Sequence, residues 1–81
     1  MSTAELRRPS GLALSGDTFY VTDNETSRVV AFDREGHMVD WIDLSSEVPT
    51  GGLMGVEVDA RGWIYLTDAV DDRVLEVSPR M

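Results

Sequence analysis

Residues 11–33 read GLALSGDTFYVTDNETSRVVAFD, and residues 55–78 read GVEVDARGWIYLTDAVDDRVLEVS. Laid over one another, the two stretches agree at Tyr20 and Tyr65, Thr22 and Thr67, Asp23 and Asp68, Arg28 and Arg73, and Val29 and Val74, each pair 45 residues apart. Gly11 and Gly55 are 44 apart, so the second copy carries one extra residue in its first turn. Identities that recur at one spacing mark an internal repeat, and repeats of this length are units that stack on their neighbours.

Each copy divides into short strands. The first predicts strands at Leu12–Ser15, Thr18–Thr22, Arg28–Asp33 and His37–Leu44. The second predicts Val56–Asp59, Trp63–Thr67 and Arg73–Val77. These segments are rich in Val, Ile, Tyr, Phe, Trp and Thr. The turns between them hold the Gly, Asn and Asp that tight turns need. No segment shows a helical apolar stripe. Within strands, Phe19 and Val21 point opposite to Tyr20 and Thr22, and Val29 and Ala31 point opposite to Val30 and Phe32. Both faces are largely apolar, so both want cover, whereas a two-sheet sandwich would leave one face wet. Small sheets stacked around an axis bury both faces, with a repeat of about 40–45 residues and about 4–8 blades. The fold class is therefore all-β: two four-stranded antiparallel β-propeller blades, part of a ring completed by other copies or by a longer chain.

The expected organisation is an N-terminal segment over 1–8, a first blade over 9–44, a connection over 45–54 and a second blade over 55–81. The second blade shows three strands, and residues 1–8 are the candidate for a blade-closing outer strand. Gly51-Gly52 is expected to be a flexible joint between blades. Lacking a following helix or Lys, it is no phosphate loop.

Pro9-Ser-Gly-Leu-Ala-Leu14, Phe19-Tyr-Val-Thr-Asp23 and Arg28-Val-Val-Ala-Phe-Asp33 with Gly36 resemble an NHL repeat. Gly55–Asp59, Ile64–Asp68 and Arg73–Val77 resemble a second one, so the resemblance spans residues 9–78. The Gly-His and Trp-Asp signatures of WD40 repeats are missing. The resemblance implies a six-bladed type of propeller, of which two blades are present, and it implies two kinds of function. One is a binding or interaction scaffold without catalysis. The other is part of a metal-dependent enzyme, like the lactonases and the amidating lyase among six-bladed propellers, with a cation in the central tunnel.

Two blades alone leave apolar faces open at both ends of the stack. Three chains joined head to tail would give six blades in closed cyclic symmetry. The first expected partner is thus a second copy of the chain, followed by a protein or small-molecule ligand. Cysteine is absent, so no disulfide supports this small unit. Seven Lys and Arg against fifteen acids, with a net charge of −8, exclude a nucleic-acid surface and disfavour an anionic membrane. No apolar run reaches the ~18–20 residues that span a bilayer, and Met1–Arg8 lacks the apolar core of a signal peptide. The expectation is a soluble chain.

Candidate chemistry is sparse. Asp23 with Arg28, and Asp68 with Arg73, repeat at a spacing of five and bracket hairpin loops, which predicts ion pairs that hold the loops. Their presence in both copies points to scaffolding, and an exposed pair would contribute only about 0–1 kcal/mol. Asp68, Asp71 and Asp72 form an acidic loop, for which Ca²⁺ is the candidate cation, although the spacing matches no EF-hand. Glu57 is the unexpected acid of an inner strand, because its counterpart is Ala13, and a buried acid there would need a partner or a metal. Catalytic and organic-cofactor motifs are missing, and Ser10 and Ser15 have no base partner in sequence. His37 alone cannot hold zinc with protein ligands. Trp41, Trp63, Tyr20 and Tyr65 are expected to pack between blades in preference to forming a carbohydrate platform.

Overall fold

The computed structural model describes residues 6–79, and among these the chain forms seven strands in two antiparallel sheets, without a helix. The first sheet is a meander of β1 (Pro9–Ser15), β2 (Thr18–Asp23), β3 (Arg28–Phe32) and β4 (Met38–Asp43). The second runs β5 (Leu53–Val58), β6 (Ile64–Asp68) and β7 (Arg73–Val77). Among the described residues, no helix is long and apolar enough to cross a membrane. The expected outer strand falls largely on residues 1–5, outside the described residues, and residues 6–8 lie outside the strands.

The inner strands are longer at their starts than their apolar patterns predict. β1 reaches back to Pro9, opposite Asp23, across an irregularity between Pro9 and Gly11. β5 reaches back to Leu53, opposite Asp68, across an irregularity between Leu53 and Val56. Two residues assigned to the connection thus belong to the second sheet. The bulge recurs at equivalent places because an inner strand must bend where it enters the sheet. β4 is shorter than predicted, since Leu44 leaves the strand to donate its N–H to Ser27 O.

Cross-strand register sets the two faces. In the first sheet Tyr20 lies between Ala13 and Ala31, and Thr22 lies between Gly11 and Val29. In the second, Leu66 lies between Val56 and Leu75, and Ile64 lies between Val58 and Val77. These two faces meet. Val29, Leu44, Val48, Leu53, Ile64 and Leu66 form the buried core, with Tyr20, Ile42, Val56, Val58, Leu75 and Val77 packed against it. Burying an aliphatic side chain of this kind stabilises by about 1.5–3 kcal/mol.

The other two faces point outward. On the first sheet Leu12, Leu14, Met38 and Trp41 are exposed, and beneath them Val30 and Phe32 are buried. On the second, Val74 shares a face with Tyr65, Thr67, Glu57 and Glu76. The inner strands β1 and β5 approach backbone to backbone. A Cβ placed on Gly11 would lie 2.5 Å from Met54 O and 3.4 Å from Gly55 Cα.

Gly51-Gly52 is a packed corner in this fold, which corrects its reading as a flexible joint. Gly51 has φ 93° and donates its N–H to Asn24 O. Gly52 is buried, and a Cβ there would lie 2.6 Å from Asp68 Oδ1.

Candidate functional site

Apart from Glu57, the predicted site residues gather at the ends of β2 and β6, where each sheet turns into its third strand. Asp23 is fully buried, and its Oδ1 accepts the N–H groups of Glu25 and Thr26. Asp68 is buried too, and its Oδ1 accepts the N–H groups of Val70 and Asp71, the same positions one repeat on. Ser27 and Asp72 close these turns at φ 56° and 52°, again one repeat apart. An Asx-type turn followed by a left-handed residue is thus built twice.

The remaining acceptor capacity is filled differently. Asp23 also takes the N–H groups of Arg7 at 2.7 Å and Arg8 at 3.1 Å. Burial pushes its carboxyl up, but the four backbone donors together outweigh that and hold it below the usual range. At the second corner Gly51 and Gly52 stand where Arg7 and Arg8 stand, and their N–H groups go to Asn24 O and Pro49 O. Asp68 takes the Arg73 guanidinium instead, Nε to Oδ2 at 3.1 Å. Burial pushes this carboxyl up as well, and Arg73 with the two backbone donors brings it below the usual range. Arg73 also donates to Glu47 O, tying the corner to the connection between sheets.

The structure therefore brings Asp68 and Arg73 together as the sequence predicts, while main-chain donors satisfy Asp23. Arg28 gives its Nε to Thr26 Oγ1, pairs across the strands with Asp43, and lies 5.7 Å from the centre of the Trp41 ring. Asp71 is 3.9 Å from Arg73, and Asp72 is exposed. A cation at this loop would have to compete with Arg73 for Asp68. Glu57 is not part of the corner: it is exposed, opposite Tyr65. No buried side-chain N or O among the described residues lacks a hydrogen-bond partner.

Three further groups are brought together only by the fold. Asn24 is buried and donates Nδ2 to Leu53 O at 2.7 Å, while Ser10 Oγ bonds to Leu53 O and Thr22 Oγ1, joining the two sheets. Asp59 accepts N–H groups from Arg61 and Trp63, the Arg61 guanidinium and the Tyr65 hydroxyl. Burial raises its carboxyl, and these donors overcome it and bring it to about 2. At the β3–β4 turn, ligand atoms of Asp33, Glu35 and His37 lie within 4.8 Å of one another. Asp33 there accepts the N–H groups of Glu35 and His37, and His37 Nδ1 is 3.4 Å from its carboxylate, so the cluster is accounted for as a turn. The alternation Asp33-x-Glu35-x-His37 was its only sequence signal. Of the aromatic residues, Tyr20 packs between the sheets as expected. Trp41 is exposed, and Trp63 stands 5.7 Å from the Arg61 guanidinium.

Two antiparallel sheets stacked face to face, with equivalent strands innermost and equivalent corners, are propeller-like blades. Residues 6–32 match the family model of the NHL repeat, a span that ends with β3 of the first sheet. No curated protein matches the chain.

Proposed function

We propose that the chain is a non-catalytic interaction scaffold whose first partner is itself, with three copies joined head to tail to give six blades. One observation carries this reading: the open faces are repeat counterparts of the buried ones. Moving Phe19, Val21, Val30 and Phe32 forward one repeat gives Ile64, Leu66, Leu75 and Val77, the buried side of the second sheet. Moving Tyr20, Thr22 and Val29 forward gives Tyr65, Thr67 and Val74, the open side of that sheet. The interface already formed inside the chain can therefore be repeated between chains, as a heterologous contact that closes if the rotation allows. A protein or small-molecule ligand would then sit at the loop corners, where Glu25, Asp71 and Asp72 are exposed. The metal-dependent enzyme reading gains no support from Glu57, which shares its exposed face with Tyr65 and Glu76.

Light scattering coupled to size exclusion, at micromolar concentration, tests the proposal. The expected mass is three times 9.0 kDa, about 27 kDa. A stable, well-dispersed monomer overturns it.

A further inference from the structure

At one point the internal interface sets Ala31, with Asp40 beside it, against Gly62 and Ile64, and the open faces carry other charges at the equivalent positions. Tyr20 and Ala31 of the first sheet share a hollow with Gly62 and Ile64 of the second. Gly62 in turn lies against Pro79, whose Cβ would be 3.5 Å from a Cβ at Gly62. Moved by one repeat, Ala31 becomes Glu76, and Ala13, which flanks Tyr20, is matched by Glu57, which flanks Tyr65. On the opposing side Gly62 is matched by Asp17, Ile64 by Phe19 and Pro79 by Arg34. The open face of the second sheet has thus gained two carboxylates. The open face of the first has gained Arg34 at the place matching Pro79, together with Asp17, which pairs with it.

The two sides are suited to each other in detail. Arg34 is exposed at the rim of an apolar hollow lined by Phe19, Phe32 and Leu12. It spends Nε on Asp17 at 2.8 Å and reaches Gly16 O with Nη2, which leaves donors to spare on a group that has five. Among the described residues, neither Glu57 nor Glu76 makes an ion pair, because Asp59 takes both the Arg61 guanidinium and the Tyr65 hydroxyl. Pairing two second-sheet faces would bring four glutamates together, which like-charge repulsion opposes.

Resting on the assembly reading above, we infer that successive copies are locked in register by an ion pair, Glu76 of one copy against Arg34 of the next. The apolar faces supply the attraction, and this pair sets the direction of stacking and excludes the face-to-face alternatives.

The test is sedimentation velocity over a concentration series on the full chain, on Glu76→Arg, on Arg34→Glu and on the double swap, with far-UV circular dichroism to verify the sheets. Each single reversal is expected to weaken self-association at least about tenfold, and the double swap to recover most of that loss. If Glu76→Arg leaves association unchanged, or the double swap is no better than either single, the lock is wrong while the assembly stands. If only Arg34→Glu acts, the first-sheet faces pair with each other, and the head-to-tail lock is likewise overturned. A wild-type chain that stays monomeric takes down the assembly reading, and the lock with it.

Discussion

The corners at Asp23 and Asp68 share one turn and differ in what anchors it. In both, a buried carboxylate caps two N–H groups, and a left-handed residue follows. The first corner then draws on the main chain of residues 7 and 8, and the second on a side chain, Arg73. The difference traces to the chain that precedes each inner strand. At Gly51 and Gly52 the equivalent N–H groups are already committed to Asn24 O and Pro49 O, so Asp68 needs another donor. The repeat therefore preserves a backbone shape and an acceptor, and lets the donor vary with what lies upstream.

Acid should erase the comparison altogether, and this is the largest expected effect. Asp23, Asp59 and Asp68 all lie below the ordinary aspartate value of 3.8 in the folded chain, Asp59 at about 2. The unfolded chain therefore binds protons first, so their contribution is complete above that ordinary value and is lost as pH falls through the folded values. Thermal unfolding followed by circular dichroism should show a flat Tm above about pH 5 and a steep fall between about pH 4 and 2. A Tm independent of pH across that window would show that these carboxylates do not hold the corners.

Removing one corner should expose the asymmetry. Asp23→Ala strands four backbone donors, two of them on the segment that leads into β1, and should cost about 3 kcal/mol in urea unfolding. Asp68→Ala strands two backbone donors and a half-exposed arginine that water can solvate, so its cost should be smaller. Equal costs would mean that the preceding segment adds nothing.

Equivalent glycines sharpen the contrast between the closed and the open face. Gly11→Ala drives a methyl into Met54 O across the joint and should cost about 2 kcal/mol, whereas Gly55→Ala meets only the rotatable Thr67 hydroxyl at 3.0 Å and should cost less than about 1. Asn24→Ala deletes the bond to Leu53 O, for about 1 kcal/mol by chemical denaturation. The mirror change Ala69→Asn, at an exposed position, should be neutral. The smallest effect belongs to calcium. With Arg73 already on Asp68, millimolar Ca²⁺ should leave Tm unmoved and give no calorimetric heat, and a clear rise would reopen the metal reading.

Much of the fold was legible because the information was periodic. Tyr20 and Tyr65, with their neighbours, locate strands through alternation, and Asp23 and Asp68 locate corners through turn chemistry. What could not be read depends on contacts between residues distant in sequence. Nothing local says that Arg7 and Arg8 turn their N–H groups toward Asp23, or that Asn24 reaches Leu53. The Asp–Arg spacing of five was present in both copies, yet a salt bridge holds the corner in the second, since main-chain donors had met the need in the first. Gly51-Gly52 looked loose because two glycines in a row are permissive in isolation, and here Gly51 is required by its left-handed φ and Gly52 by the atoms packed around it.

Gly11 sets how closely the two sheets approach. With no side chain at that position, the innermost strands of the two blades come as close as main-chain atoms allow. That contact is the hub edge between the sheets, and the side chains of Val29, Ile64 and Leu66 fill the space toward the rim. The approach at the hub and the filling toward the rim together fix an angle, and an angle repeated from blade to blade decides how many make a full turn. The size of any ring built from this chain is in that sense written in a missing methyl group.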